Sequence, residues 1–214
     1  MRLFSFQDQQ GHHSLGALLE KDSSQYIDLC ATDPNIPKDL LALIQSDREL
    51  TQARRALLNP QAVIHNLSDI HFTPLIHCPE KIICLGLNYA DHAKEGGHAR
   101  PDYPSFFMRG PSSLTAHQAP IIRPKASTKL DYEAELAFVM GKRAKHCSLE
   151  NALEHVVGYS IFNDGSVRDY QRKSTQWTIG KNFDQTGAFG PWLVTPDELP
   201  VGASGLQIQS RLNG

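Results

Sequence analysis

The segment Asp131-Tyr132-Glu133-Ala134-Glu135-Leu136-Ala137-Phe138-Val139 constrains the chain more than any other, because its residue types alternate. A period of two is the repeat of a β-strand, so the fold must contain a sheet with this segment in it. Glu133 and Glu135 then share one face, while Tyr132, Ala134, Leu136 and Phe138 share the other. Two carboxylates side by side repel each other, and a cation between them relieves the repulsion. A solvated strand face shows the same alternation.

Other segments supply the frame. Residues 1 to about 75 read as a small α/β module, with short alternating stretches such as Gln25-Tyr26-Ile27-Asp28-Leu29 and a helical stretch from Asp39 through Leu58. Pro60, Pro74 and Pro79 mark the passage to a second unit, residues 76–214. There Lys81 to Gly86 reads as a buried strand, Asp131 to Met140 as a strand, and Gly158 to Phe162 as another. Ser148 reads as the cap of a helix over Leu149 to His155. Asn88 to Glu95 reads as a short helix that Gly96-Gly97 ends.

Composition excludes several classes. With 21 basic and 23 acidic residues in 214, the net charge is −2 and no basic stripe is present, which argues against nucleic-acid binding. No apolar run approaches the roughly 20 residues that span a bilayer, and no signal peptide is evident. Cys30, Cys78, Cys84 and Cys147 lack zinc-site or disulfide spacing, so they read as small buried hydrophobes in a reducing compartment, the cytoplasm by default.

Three further groups bear on chemistry. Asp164 follows an apolar strand directly and can join the two glutamates; three carboxylates suit a hard ion such as Mg²⁺ or Mn²⁺. A turn or helix cap is the other reading of Asp164, and Asp169 is an alternative ligand. His92 and Glu95, three apart, meet on one helix face, where a carboxylate orients an imidazole as a base; a solvated pair has the same spacing. Lys181 lies among Trp177, Gly180 and Phe183, so its ammonium either finds an anionic partner or stays at the surface with its stem on Trp177.

Taken in order, Gly86-Leu87-Asn88-Tyr89-Ala90-Asp91-His92 with Glu95, Asp131 to Leu136, Asn163-Asp164 with Ser166 and Arg168-Asp169-Tyr170-Gln171, and Gln176-Trp177 with Lys181 and Phe183-Asp184 resemble the fumarylacetoacetate hydrolase family. Met1-Arg2-Leu3, Ile27-Asp28-Leu29 with Asp33-Pro34, Ala53 to Leu57 and Arg211 to Gly214 look like its subgroup called fumarylacetoacetate hydrolase domain-containing protein 2. The resemblance implies an α+β, mainly β fold, a mixed β-roll with a small N-terminal domain, usually as a homodimer. It implies that Glu133, Glu135 and Asp164 bind Mg²⁺ or Mn²⁺, that His92 and Glu95 form a catalytic dyad on a lid, and that Lys181 holds or polarises substrate. Arg168 and Gln171 would line or brace the site, with Arg109 near its mouth where many relatives carry lysine.

The implied activity is hydrolysis of acylpyruvate-type 2,4-dioxo acids, with oxaloacetate tautomerisation or decarboxylation as the alternative. A catalytically inactive module that binds metal or a metabolite is the reading of another class. Members of the family continue with a further strand-rich segment after the Asn-Gly matching Asn213-Gly214, so the family domain is expected to be incomplete within these residues.

Overall fold

The computed structural model describes residues 1–89 and 102–214. Strand β1 (Arg2–Gln7) is buried on both faces, as its run Leu3-Phe4-Ser5-Phe6 demands. Leu3 enters the main core with Leu15, Ala17, Ile27, Leu40 and Leu43, whereas Phe4 and Phe6 enter an aromatic cluster with Tyr26 and Ile70. Burying a side chain of this size stabilises by roughly 1.5–3 kcal/mol, so β1 anchors two cores at once.

Around β1 the chain builds β2 (His13–Leu18), β3 (Gln25–Asp28), β4 (Ile64–Asn66) and β5 (His71–Phe72). Later come β6 (Ile82–Gly86), β7 (Ser105–Arg109), β8 (Leu114–Thr115), β9 (Leu130–Asp131), β10 (Ala134–Met140), β11 (Val156–Asp164), β12 (Ser166–Val167), β13 (Gly187–Phe189) and β14 (Leu193–Val194). Ten of these form one sheet in the order β4-β3-β2-β1-β14-β11-β13-β8, with β5 added on β1 and β10 on β11. Because β1 pairs with β14, strands from both sides of residue 75 share this sheet. The fold is α+β and mainly β, as expected.

The helices are short. Asp28 and Asp39 accept the first free amides of α1 (Leu29–Thr32) and α2 (Leu40–Ser46). The single helix expected over Asp39 to Leu58 is instead two. Leu50 adopts a left-handed conformation at φ 55°, and the Asp47 carboxylate accepts from Gln52 N at 2.7 Å, so α3 (Thr51–Leu57) starts afresh. The expected helix over Leu149 to His155 is one 3₁₀ turn, Ala152–His155, without a side-chain cap. Leu149 is 90 % exposed, so that segment has no apolar face to bury against the sheet.

Three other expectations change. Strand β6 is not buried: it pairs with β7 in a two-stranded ribbon, leaving Ile83 and Leu85 exposed on one side. The strand expected from Asp131 to Met140 breaks at Tyr132-Glu133, because β9 pairs with β12 while β10 pairs with β11. At the break Glu133 N donates to Asn163 Oδ1 at 3.1 Å, so a side chain takes one backbone bond while Glu133 O still accepts from Asp164 N at 2.9 Å. Cys78 and Cys147 are exposed rather than buried. The helix expected over Asn88 to Glu95, with His92 and Glu95, extends outside the described residues.

Candidate active site

Packing of β10 on the main core decides where the carboxylates go. Glu135, Ala137 and Val139 turn inward, and Leu136, Phe138 and Met140 turn outward, 41 %, 58 % and 45 % exposed. The solvated-acid reading of the alternation is therefore overturned: the acidic side is the covered side.

Asp164 ends β11 and is 4 % exposed; Lys181 ends α5 (Thr178–Lys181) and is 2 % exposed. Its ammonium lies 2.8 Å from Glu133 Oε2 and 2.6 Å from Asp164 Oδ2, over the Phe107 ring at 4.9 Å. A buried ammonium needs an anion, and here it has two. Burial overturns the surface reading of Lys181.

The pairing continues on both sides. Arg168, at the start of α4 (Arg168–Gln171), is 2.5 Å from Glu133 Oε1 and 2.9 Å from Asp131 Oδ2, and donates to Gln171 Oε1 at 3.0 Å. Arg109, at the end of β7, has a fully buried side chain and binds Asp164 Oδ1 at 2.6 Å. Its remaining donors reach Gly165 O at 3.1 Å, Thr186 Oγ1 at 2.9 Å and Ser113 Oγ at 3.2 Å. Gly187 allows this: a Cβ there would stand 2.7 Å from Arg109 Nη2. Asp131, Arg168, Glu133, Lys181, Asp164 and Arg109 thus form one row of alternating charge, three acids and three cations.

Glu135 stands beside the row without an ion pair among the described residues. Burial, then the Glu133 and Asp164 carboxylates, push its pKa up to about 7, with Tyr89 and Lys181 opposing. Burial also pushes Glu133 upward, but Lys181 and Arg168 outweigh it and hold its pKa below the ordinary glutamate value. Tyr89 Oη accepts from Leu136 N at 2.9 Å and closes this end of β10.

Residues outside the expected set also belong here. Asp131 and Thr186 anchor the two arginines, and the Cys84 thiol is pushed up to about 12 by burial and by Asp164, so it stays protonated at neutral pH. Sequence carried no local signal for Thr186, which lies 77 residues from Arg109. Asp169 is not part of the group: it is exposed and accepts from Ser127 Oγ at 2.6 Å.

The donor set suits a hard divalent ion, since Glu133, Glu135 and Asp164 offer oxygen and carry one negative charge beyond the balanced row. Among the described residues, no three His, Cys, Asp or Glu side chains are grouped closely enough to hold an ion as they stand.

Residues 81–214 match the fumarylacetoacetate (FAA) hydrolase C-terminal family. The chain belongs to the fumarylacetoacetate hydrolase family. It is 38 % identical over 216 residues to the oxaloacetate tautomerase fahd2 of Xenopus laevis, covering 100 % of this chain and 67 % of that protein. The fumarylacetoacetate hydrolase of Exiguobacterium antarcticum superposes with a TM-score of 0.75 at 32 % identity, covering 94 % of this chain and 68 % of that one. The maleylpyruvate hydrolase of Sphingobium sp. SYK-6, solved with manganese (II) ion and pyruvate, gives 0.71 at 26 % identity, covering 92 % and 68 %. The family is thus one of enzymes, and the subgroup resemblance holds.

The cytoplasmic expectation is corrected by the same relatives, because the Xenopus, bovine and human proteins are all named mitochondrial. Unpaired thiols indicate reducing surroundings but do not identify the compartment.

Proposed function

We propose that this chain carries out divalent-metal-dependent chemistry on small 2-oxo acids through an enolate. The observation that carries the proposal is Glu135, an acid left over beside a row whose charges already balance. Glu133, Glu135 and Asp164 would hold Mg²⁺ or Mn²⁺. The ion, once bound, offsets the negative charge that develops on a 2-oxo acid when its enolate forms.

The chain's own residues do the rest. Lys181 would supply positive charge for the substrate's carboxylate, while Arg168, held by Asp131 and Gln171, braces Glu133. Arg109 supports Asp164 from behind, with its donors engaged on protein atoms, so its part is positioning. His92, oriented by Glu95, would accept a proton from water or from the carbon next to the 2-oxo group. With water as the nucleophile, attack on the distal carbonyl of an acylpyruvate breaks the carbon–carbon bond and releases an enolpyruvate and an acid.

A second reading is keto–enol tautomerisation of oxaloacetate, in which the same base moves a proton without bond cleavage. The identity to the Xenopus tautomerase favours it, while the two hydrolase structures favour cleavage. A homodimer is part of the proposal, supported by the apolar side chains exposed on β6, β7 and β10.

Titrating Mg²⁺ and Mn²⁺ while following ultraviolet absorbance of acylpyruvates and of enol-oxaloacetate tests the proposal. Metal-dependent loss of one chromophore selects the reaction. Metal binding without turnover of either substrate overturns the enzymatic reading, and absence of binding removes the carboxylate assignment.

A further inference from the structure

We propose that the Lys181 ammonium is a stand-in cation, which holds Glu133 and Asp164 together in the metal-free protein and is displaced when a divalent ion enters. Displacement frees the ammonium for the carboxylate of the incoming 2-oxo acid, so metal would bind before substrate. The inference rests on the metal reading above and adds what happens to a residue of this chain when the ion arrives.

Three observations carry it. First, all four oxygens of Glu133 and Asp164 already face a cation: Arg168 and Lys181 on one, Arg109 and Lys181 on the other. Each oxygen keeps a second lone pair, but an ion entering between the two acids competes for the same space and charge as the ammonium that bridges them.

Second, the three cations are not held alike. Arg109 is also fixed by Ser113, Gly165 and Thr186, and Arg168 by Asp131 and Gln171. The Lys181 ammonium makes its hydrogen bonds, among the described residues, to Glu133 and Asp164 alone. A lysine is a point charge on a flexible stem, and it can withdraw where a pinned guanidinium cannot. Third, the row is neutral with Lys181 in place, so a divalent ion added beside it would meet only the charge of Glu135 as compensation. With the ammonium withdrawn, three carboxylates face the ion.

The wild-type protein labelled with ¹⁵N-lysine tests this directly. In the metal-free state the Lys181 ammonium, identified by its contact with the Phe107 ring, should give a signal that exchanges slowly with water. Saturating Mg²⁺ should shift that signal and raise its exchange at least tenfold. An unchanged, protected signal at saturating Mg²⁺ overturns the displacement.

Lys181→Met gives the second measurement. Its Mn²⁺ affinity, read by electron paramagnetic resonance of the free ion, should rise at least tenfold over wild type. Its Tm should fall in chelator and climb further than that of wild type on adding Mn²⁺. Mn²⁺ binding no tighter than wild type overturns the stand-in while leaving the metal reading intact; no binding to either protein removes both. If Lys181→Met does not fold, the wild-type signal decides alone.

Discussion

Strands β1 and β10 use alternation in opposite ways. In β1 both sides are apolar and both are sealed, with Leu3 and Phe4 at 0 % exposure. In β10 the acid turns inward and Leu136, Phe138 and Met140 turn outward. One region of the sheet is held by packing. The other adds charges drawn from β7, β9, β11, α4 and α5 to a side on which Val139 and Ala137 pack on the main core, and its outward apolar side is left uncovered among the described residues. The difference places the aromatic core and the proposed ion site in separate parts of one continuous sheet.

The largest effect is expected where packing alone acts. Phe4→Ala should lower stability by about 3–5 kcal/mol, the usual range for deleting a buried phenylalanine. Its folded fraction should bind Mn²⁺ within twofold of wild type, as isothermal titration calorimetry would show. A parallel loss of affinity would break the separation.

Next comes Arg109→Met, which leaves the buried Asp164 carboxylate with Lys181 as its one cationic partner among the described residues. Removing one partner of a buried pair costs about 3–5 kcal/mol, and Arg109→Lys should cost well under half of that because the charge remains. Denaturant unfolding of the two variants measures the gap, and equal losses would mean that the fork geometry, not the charge, holds Asp164.

Glu135→Gln should act with the opposite sign. Its native pKa, raised to about 7, exceeds the ordinary glutamate value, so the native state keeps this proton longer than the unfolded chain. The contribution is intact below the unfolded pKa and is lost as pH climbs toward 7. In chelator the variant should therefore be more stable than wild type at pH 8, on the order of 1–2 kcal/mol, and no different at pH 4. Stabilisation by Mn²⁺ should vanish. No pH-dependent gain would show that Glu135 is compensated within the native protein.

The smallest effect is reserved for the outward side. Phe138→Ser should change stability by less than about 0.5 kcal/mol in dilute solution, as surface substitutions do. A larger loss would show that this side is covered in solution and would sharpen the homodimer reading through light scattering of the variant.

Much of the frame was legible because it is local. The apolar run ending at Asp164 reads as β11, and Asp39 opens the helical stretch whose first part is α2. For Lys181 the neighbouring residues left two readings open, a buried ammonium with an anionic partner or a surface lysine on Trp177, and only its burial chose the first. What could not be read depends on distance along the chain: Glu133 and Lys181 are 48 residues apart, and Arg109 and Asp164 are 55 apart. Periodicity also gave two sides of β10 without saying which one faces solvent. That choice is made by the main core, on which Ala137 and Val139 pack from the Glu135 side.

The alternating row from Asp131 to Arg109 also limits how such a protein can drift in sequence. Each member touches two neighbours of opposite sign, except at the ends, so losing one charge inside the row unbalances both sides of the gap. Changes that keep the count, such as one basic residue for another at position 109, pass with local readjustment. Changes in the interior would have to arrive as acid and base together, and the exposed Asp131 end, unlike the buried Arg109 end, is where a lineage has room to experiment.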